Sequence, residues 1–306
     1  MKVWVLNLDA EEELAAGRFY RPKQQTQQLV RAKRELLRGS LVQPGDLILD
    51  ADTPAPDLHR ALEREAQVHL WSPTPSAQTL ARSRGFEVPR APTVGCLREV
   101  NARSFAAALH QALKVEDVAT GDLQKVVVTG FESALEVLTR PAELGWLVRR
   151  PFGAAGRGRR RFHCGTQGEG EQAWLRASLA VGALVIEPLV QVEHEFTRSG
   201  FVDARGHVTQ RTPCLQATDS NGAWTESRAA RSADLPDELD ARLDHAFFAA
   251  GLELHRAGYF GPFGIDGFSY RNSRGEKRLN ALSEINARFT MDWAESTQPA
   301  PFATGF

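Results

Sequence analysis

Four polar side chains near the end of the chain have the types and spacing for phosphate or metal chemistry: Asp266, Glu284, Asn286 and Arg288. They lie in Gly258 to Thr290, which reads as two strands, Ile265–Tyr270 and Leu279–Ala287, joined by a polar turn. Strand side chains alternate faces with period two, so Glu284, Asn286 and Arg288 share a face. If the hairpin folds about Gly275, Asp266 lies across from Glu284. Two carboxylates and an amide oxygen then form a hard-oxygen set that suits Mg²⁺, which takes one or two carboxylates plus substrate phosphates. A half-solvated sheet edge, with its polar face in water, accounts for the same pattern.

A second segment, Pro151 to Arg159, follows the apolar strand Trp146–Arg149. Its three glycines (Gly153, Gly156, Gly158) and two alanines (Ala154, Ala155) leave the backbone free to approach an anion. Successive backbone N–H groups form concave anion sites, and the flanking arginines add charge. No Gly-Lys-Ser/Thr follows, so this is not a P-loop. A basic hairpin tip and a local nucleic-acid patch remain alternatives. Farther on, Glu187-Pro188-Leu189-Val190 leaves a strand, because Pro188 has no backbone donor. Glu195 stands near the start of the next strand.

These segments need a scaffold. Strands at Val3–Leu8, Leu47–Asp50 and Gln67–Trp71 alternate with helices at Gln24–Leu37, Leu58–Glu65 and Ser76–Arg84, which predicts a small parallel α/β layer. No glycine-rich dinucleotide fingerprint follows any of these strands. Pro89, Pro92 and Gly95 mark a boundary. Helices are expected over Leu97–Leu113, Ser133–Leu138, Ala173–Ala180 and Leu239–Ala257, with strands at Lys125–Thr129, Ala183–Ile186, Glu195–Asp203 and His207–Arg211. Thr218 to Asp237 reads as a polar loop. Leu243, Phe247, Phe248, Leu252 and Leu254 recur at near-helical spacing and are expected in a core.

The order of the motifs resembles the ATP-grasp superfamily. A strand ending in a cation, a glycine-rich hairpin, the Glu187–Val190 connector, Glu195, and then GxxGxDxF and SEINAR follow one another from about Val100 to Thr290. The resemblance implies an α/β (α+β) ATP-grasp fold of three parts. These are an N-terminal α/β domain (1–95), a small lobe with the glycine-rich loop (96–182) and a C-terminal lobe with the metal site (183–306), the two lobes sandwiching ATP. It implies ATP with Mg²⁺, or Mn²⁺, as cofactors. Asp266, Glu284 and Asn286 match the metal ligands, and Arg288 the arginine that contacts the transferred phosphate. Glu187 matches the acid at the adenine hinge, where the backbone of Leu189 and Val190 reads the base; Glu195 matches the ribose acid. Gly153, Gly156 and Gly158 match the loop over the triphosphate. Arg149 and Arg103 stand where the family commonly has lysines, and carbamoyl phosphate synthetase-like members also carry arginine at both places. Arginine stays charged and grips phosphate oxygens bidentately.

The implied activity is ligation: ATP activates a carboxylate as an acyl phosphate, which an amine attacks. A phosphotransferase on the same fold and a non-catalytic nucleotide-binding module remain alternatives. Arg211, Glu226 and Arg228 fall in the stretch where the family holds its substrates. A net charge of −1, from 37 basic and 38 acidic side chains in 306 residues, gives no field that argues for nucleic acid or an anionic membrane. No apolar run approaches the roughly 18 residues of a membrane span. The N-terminus lacks the pattern of a secretory signal. Cys96, Cys164 and Cys214 form no metal spacing or disulfide framework, which fits a reducing cytoplasm. The expected partners are a small carboxylate and an amine, with a homodimer left open.

Overall fold

The structure is a computed structural model that describes residues 1–113, 123–153, 156–219, 224–272 and 274–296. Ala154 and Ala155 of the glycine-rich segment lie outside the described residues. The N-terminal strands β1 (Lys2–Val5), β2 (Leu47–Ile48) and β3 (Gln67–Leu70) form a parallel sheet in the order β2-β1-β3. Helices α1 (Ala10–Ala16), α2 (Gln24–Leu36), α3 (Ala55–Glu63) and α4 (Pro75–Ser83) run between and after these strands. Parallel strands are covered on both faces, hence their apolar runs. Val3, Val5 and Val68 pack on Ala61, Ala77 and Ala81, while Trp4 and Leu6 pack on Trp71, Phe289 and Trp293. The segment after the last hairpin therefore returns to the N-terminal layer.

Helices α5 (Val94–Val100) and α6 (Arg103–Ala112) follow. Thr93 caps α5 by accepting a hydrogen bond from the Cys96 amide at 3.2 Å, satisfying an otherwise orphaned donor. Next come β4 (Val126–Val128), α7 (Phe131–Thr139), β5 (Trp146–Arg149), β6 (Arg159–Phe162), α8 (Glu169–Leu179) and β7 (Leu184–Pro188). The four strands make an antiparallel sheet, β4-β7-β5-β6, over which Leu138 and Leu175 close a small core.

The last sheet holds β8 (Gln191–Val202), β9 (Val208–Gln210), β10 (Cys214–Thr218), β11 (Trp224–Ala229), β12 (Gly261–Arg271) and β13 (Lys277–Asn286). Its order is β11-β10-β8-β12-β13, with β9 on β8. Helix α9 (Asp237–Arg256) buries Leu243, Phe247, Ala250 and Leu254 against it, with the Phe247 and Phe263 rings stacked at 4.5 Å. The expected loop over Thr218–Asp237 is corrected here: β11 pairs antiparallel with β10, Cys214 opposite Ala229. Its polar sequence reflects a half-exposed edge position, not a lack of structure.

The mixed α/β architecture matches the expected fold class. Leu97, Val100, Ala106 and Leu109 are buried with Phe263, Ile265 and Ile285, so α5 and α6 pack on the last sheet, and α6 also touches β4 and β7 of the second. β7 pairs with its neighbours β4 and β5. Burial and pairing, which a local pattern does not report, decide these placements. Among the described residues no helix is long and apolar enough to cross a membrane.

One glycine sets the spacing of the last sheet. A Cβ on Gly200 would lie 2.1 Å from the Thr209 carbonyl oxygen and 2.5 Å from the Phe247 ring. Gly200→Ala is expected to lower stability by about 1–3 kcal/mol, the usual cost of overpacking. An unchanged denaturant midpoint would contradict that close packing.

Candidate functional site

The hairpin β12–β13 places the acids. Asp266 pairs with Glu284 and Gly264 with Asn286, the register expected from the alternation. The pairing shifts between Asp266 and Phe268, and Gly267 makes the irregularity possible, since a Cβ there would meet the Asn280 carbonyl at 2.8 Å. From Asp266 a hydrogen-bonded row runs outward. Asn286 Nδ2 donates to Asp266 Oδ2 at 2.9 Å, and Arg288 Nη2 donates to Asn286 Oδ1 at 2.8 Å. The same Arg288 nitrogen donates to Glu11 Oε1 of α1 at 2.6 Å. Asn101 holds the strand end by accepting from the Ala287 amide at 2.9 Å.

Glu284 meets cations from two other elements. Arg103, at the start of α6, donates to Glu284 Oε2 at 2.5 Å, and Arg149, at the end of β5, lies 3.9 Å from the same oxygen. Burial alone would raise the Glu284 carboxyl, but these two guanidiniums outweigh it and hold it below its usual range. Asp266 goes the other way. Burial, then the charges of Glu284 and Asp292, push its carboxyl up, and the Asn286 bond offsets only part of this. A carboxylate facing another carboxylate in a buried place calls for a cation. Among the described residues no three His, Cys, Asp or Glu side chains form a metal cluster. The donor set is therefore two carboxylates and an amide, which fits a hard cation that keeps positions for phosphate oxygens and water.

The glycine-rich hairpin closes over this group. Arg150 N–H donates to the Gly158 carbonyl at 2.7 Å, and Gly156 and Gly158 adopt φ of 74° and 76°, which side chains resist. Arg103 ties the loop down: its Nη2 donates to the Gly153 carbonyl at 2.7 Å and its amide to the Pro151 carbonyl at 3.0 Å. Arg157 forms an ion pair with Glu12 of α1 at 2.7 Å. A Cβ on Gly153 would lie 2.3 Å from the Arg157 carbonyl. Gly153→Ala is accordingly expected to open the loop and weaken ATP binding about tenfold or more. Isothermal titration with ATP checks this, and an unchanged affinity would remove the loop from the site.

Two connected clefts run past these residues, sharing Arg149, Arg159, Gln216, Thr218, Asp266 and Glu284. The larger, about 400 Å³, is lined by Glu187, Leu189, Val190, Glu195 and Phe268. Glu187 is buried there and forms an ion pair with Arg149 at 2.6 Å. The Leu189 N–H donates to the Gly145 carbonyl at 2.8 Å, so it is not free to read a base edge. Glu195 Oε2 is buried and has no hydrogen-bond partner among the described residues, an open acceptor on the cleft wall. The smaller cleft, about 180 Å³, reaches the N-terminal layer at Leu8, Glu11, Lys33 and Trp71. A still larger cavity of about 870 Å³, between His69, Phe86 and Tyr259, contains none of the acids or arginines discussed above.

The expected substrate residues are elsewhere. Arg228 pairs with Asp234, Arg211 donates to Ser296 and stacks over Trp293, and Glu226 lies opposite Ala217 on the outer strands. Gln216, Thr218 and Trp224 of the same strands line the smaller cleft instead. Lys125 escaped the sequence reading altogether. It is buried, its Nζ donates to the Leu282 carbonyl at 2.7 Å, and burial brings its ammonium down to about 8. A lysine opening the apolar run Val126–Val128 was the available signal. Glu11 carried none, being one of three consecutive acids in a helical first turn.

No family model matches the sequence, and no curated protein matches it either. Solved structures do. The biotin carboxylase of Campylobacter jejuni in a β-γ-ATP complex is 12% identical, with a TM-score of 0.56, over 96% of this chain and 66% of that one. The biotin carboxylase domain dimer of the Hydrogenobacter thermophilus 2-oxoglutarate carboxylase, in complex with MgADP, ADP and bicarbonate, is 14% identical. Its TM-score is 0.54, over 95% of this chain and 64% of that one. The chain thus spans slightly less than two thirds of these structures. At such identities the likeness shows the fold, and that fold is ATP-grasp.

Proposed function

We propose that this chain is an ATP-dependent ligase that joins a carboxylate to an amine. The observation that carries the reading is the convergence of Asp266, Glu284, Asn286 and Arg288 with Arg103 and Arg149 beside a cleft of nucleotide size. Adenosine lies in the larger cleft, its base at the Val190 amide and its ribose hydroxyls at Glu195. Gly153, Gly156 and Gly158 cover the triphosphate. Asp266, Glu284 and Asn286 would hold Mg²⁺ or Mn²⁺, which neutralises phosphate oxygens when bound.

The chain's own groups then do the rest. A substrate carboxylate oxygen attacks the γ-phosphorus and ADP leaves. Arg149 and Arg288 flank the transferring group and offset charge as it moves, the fixed-cation stabilisation such transfers require. The glycine loop, tied to Arg103, keeps water from the acyl phosphate. The amine attacks the acyl carbon, phosphate departs with the C–O electron pair, and the amine's surplus proton is lost to solvent. Three units serve this reaction: the N-terminal layer, the antiparallel small sheet with its glycine loop, and the large sheet with α5, α6 and α9.

ADP release across candidate acids, with and without amines, tests the reading. ADP formed only with both substrates supports ligation. ADP formed with the acid alone and trapped as acyl phosphate supports the phosphotransfer step without ligation. Nucleotide binding with no ADP under any condition removes the enzyme reading.

A further inference from the structure

The smaller cleft ends on a cation that forms no ion pair among the described residues, although the charges of Asp219 and Glu11 reach it. Lys33 of α2 is half-buried on the wall formed by the N-terminal layer, across from Asp266, Glu284, Asn286 and Arg288. Among the described residues it makes no hydrogen bond or ion pair. Four of its cationic neighbours along the cleft are paired with an acid. Arg288 holds Glu11 at 2.6 Å, Arg157 holds Glu12 at 2.7 Å, Arg103 holds Glu284 at 2.5 Å, and Arg149 holds Glu187 at 2.6 Å. Of the two acids whose charges reach Lys33, Asp219 is exposed and Glu11 is already engaged by Arg288. Burial, then repulsion from Arg157 and Arg288, pulls the Lys33 ammonium below its usual range. A partly desolvated ammonium beside two guanidiniums is costly until an anion meets it.

Water-exposed lysines need no such anion, but this one faces a bounded space. Leu8 and Trp71 form its apolar sides, and Gln216, Thr218 and Trp224 close it from the outer strands. At about 180 Å³ the space holds a short molecule, not a polymer or a second nucleotide. One end of that molecule must present a carboxylate to Arg288 if the reading of the preceding subsection holds, and the present inference rests on it. The other end meets Lys33. We infer that the acid substrate is a short dianion, with one carboxylate to be activated beside Arg288 and a second anionic group, carboxylate or phosphate, bound by Lys33. A charge-assisted contact of this kind both orients the acid and rejects neutral-tailed analogues, whose binding would leave Lys33 unpaired.

The test is isothermal titration of succinate, glutarate, 3-phosphonopropionate and butyrate, with and without Mg²⁺ and a non-hydrolysable ATP analogue. Wild type should bind a dianion about tenfold or more tighter than butyrate. Lys33→Met should lose that preference, and Lys33→Arg should keep part of it. The phosphonate arm against the dicarboxylates tells which anionic group is preferred. Equal affinity for butyrate, a preference that survives in Lys33→Met, or no dianion binding in either condition overturns the inference. The two readings fail separately. Lys33-dependent dianion binding with no ADP release from any acid and amine removes ligation alone. ADP release that shows no dianion preference removes only the role of Lys33.

Discussion

Glu284→Gln is expected to lower ADP release from Mg-ATP on the order of 10³-fold, the scale on which loss of one fixed transition-state partner acts. Glutamine keeps the volume and one oxygen, so the strand pairing with Asp266 survives. What disappears is the charge that Arg103 grips at 2.5 Å and Arg149 faces at 3.9 Å. Both guanidiniums then stand without that counter-charge, and Asp266 becomes the one carboxylate of the donor set. Stability should fall by about 1–3 kcal/mol, the cost of leaving a half-buried charged partner unmatched. Because Glu284 is held below the usual carboxylate range, that contribution is present at neutral pH and is lost as acid protonates it. Steady-state ADP assays and denaturant curves at pH 7 measure the two effects. A folded variant that releases ADP at the wild-type rate refutes the assignment.

Arg288→Ala should cost a similar factor in kcat, on the order of 10²–10³, with the KM for ATP little changed. The split follows from position. Arg288 lies toward the smaller cleft and the N-terminal layer, whereas Val190 and Glu195 lie along the larger one. The substitution also leaves Glu11, 7% exposed, without its cation. A buried lone carboxylate destabilises, so a drop in rate alone would not separate chemistry from folding. The double variant Arg288→Ala with Glu11→Gln separates them. It should recover thermal stability and recover none of the activity, since glutamine removes the orphaned charge and supplies no cation to the phosphate. Recovery of ADP release in the double variant would make Arg288 a structural counter-ion only. Arg288→Lys should fall between, because an ammonium keeps the charge but cannot grip phosphate oxygens bidentately as the guanidinium does.

Much of the site lay in short-range pattern. The face shared by Glu284, Asn286 and Arg288 follows from strand alternation, and the structure pairs Asp266 with Glu284 in the expected register. The cation-ended strand before the glycine hairpin is β5, paired with β6 from Trp146–Phe162 to Arg149–Arg159. Other features were hidden because the local pattern was ambiguous. Trp224 to Ala229 alternates weakly and is rich in charge, as a half-exposed edge strand and a loop both are. The backbone of Leu189 and Val190 was expected at a base edge, and the bond of the Leu189 N–H to Gly145 depends on how the small sheet curls back at β5. Arg211 and Arg228 look identical in sequence to ligand-binding arginines, and only their acceptors, Ser296 and Asp234, show otherwise.

By itself the sequence determined the element types, the polar face of the last hairpin, the glycine loop and the order of motifs that resembles ATP-grasp. Each of these is written in residues a few positions apart, where alternation, turns and backbone freedom act. The tertiary structure alone decided which charges meet. Arg103 reaches Glu284 across 181 positions, Lys125 reaches the Leu282 carbonyl across 157, and Arg288 reaches Glu11 across 277. Such pairs form only when separate cores, closing over three sheets, bring their surfaces together, and no local periodicity encodes that distance.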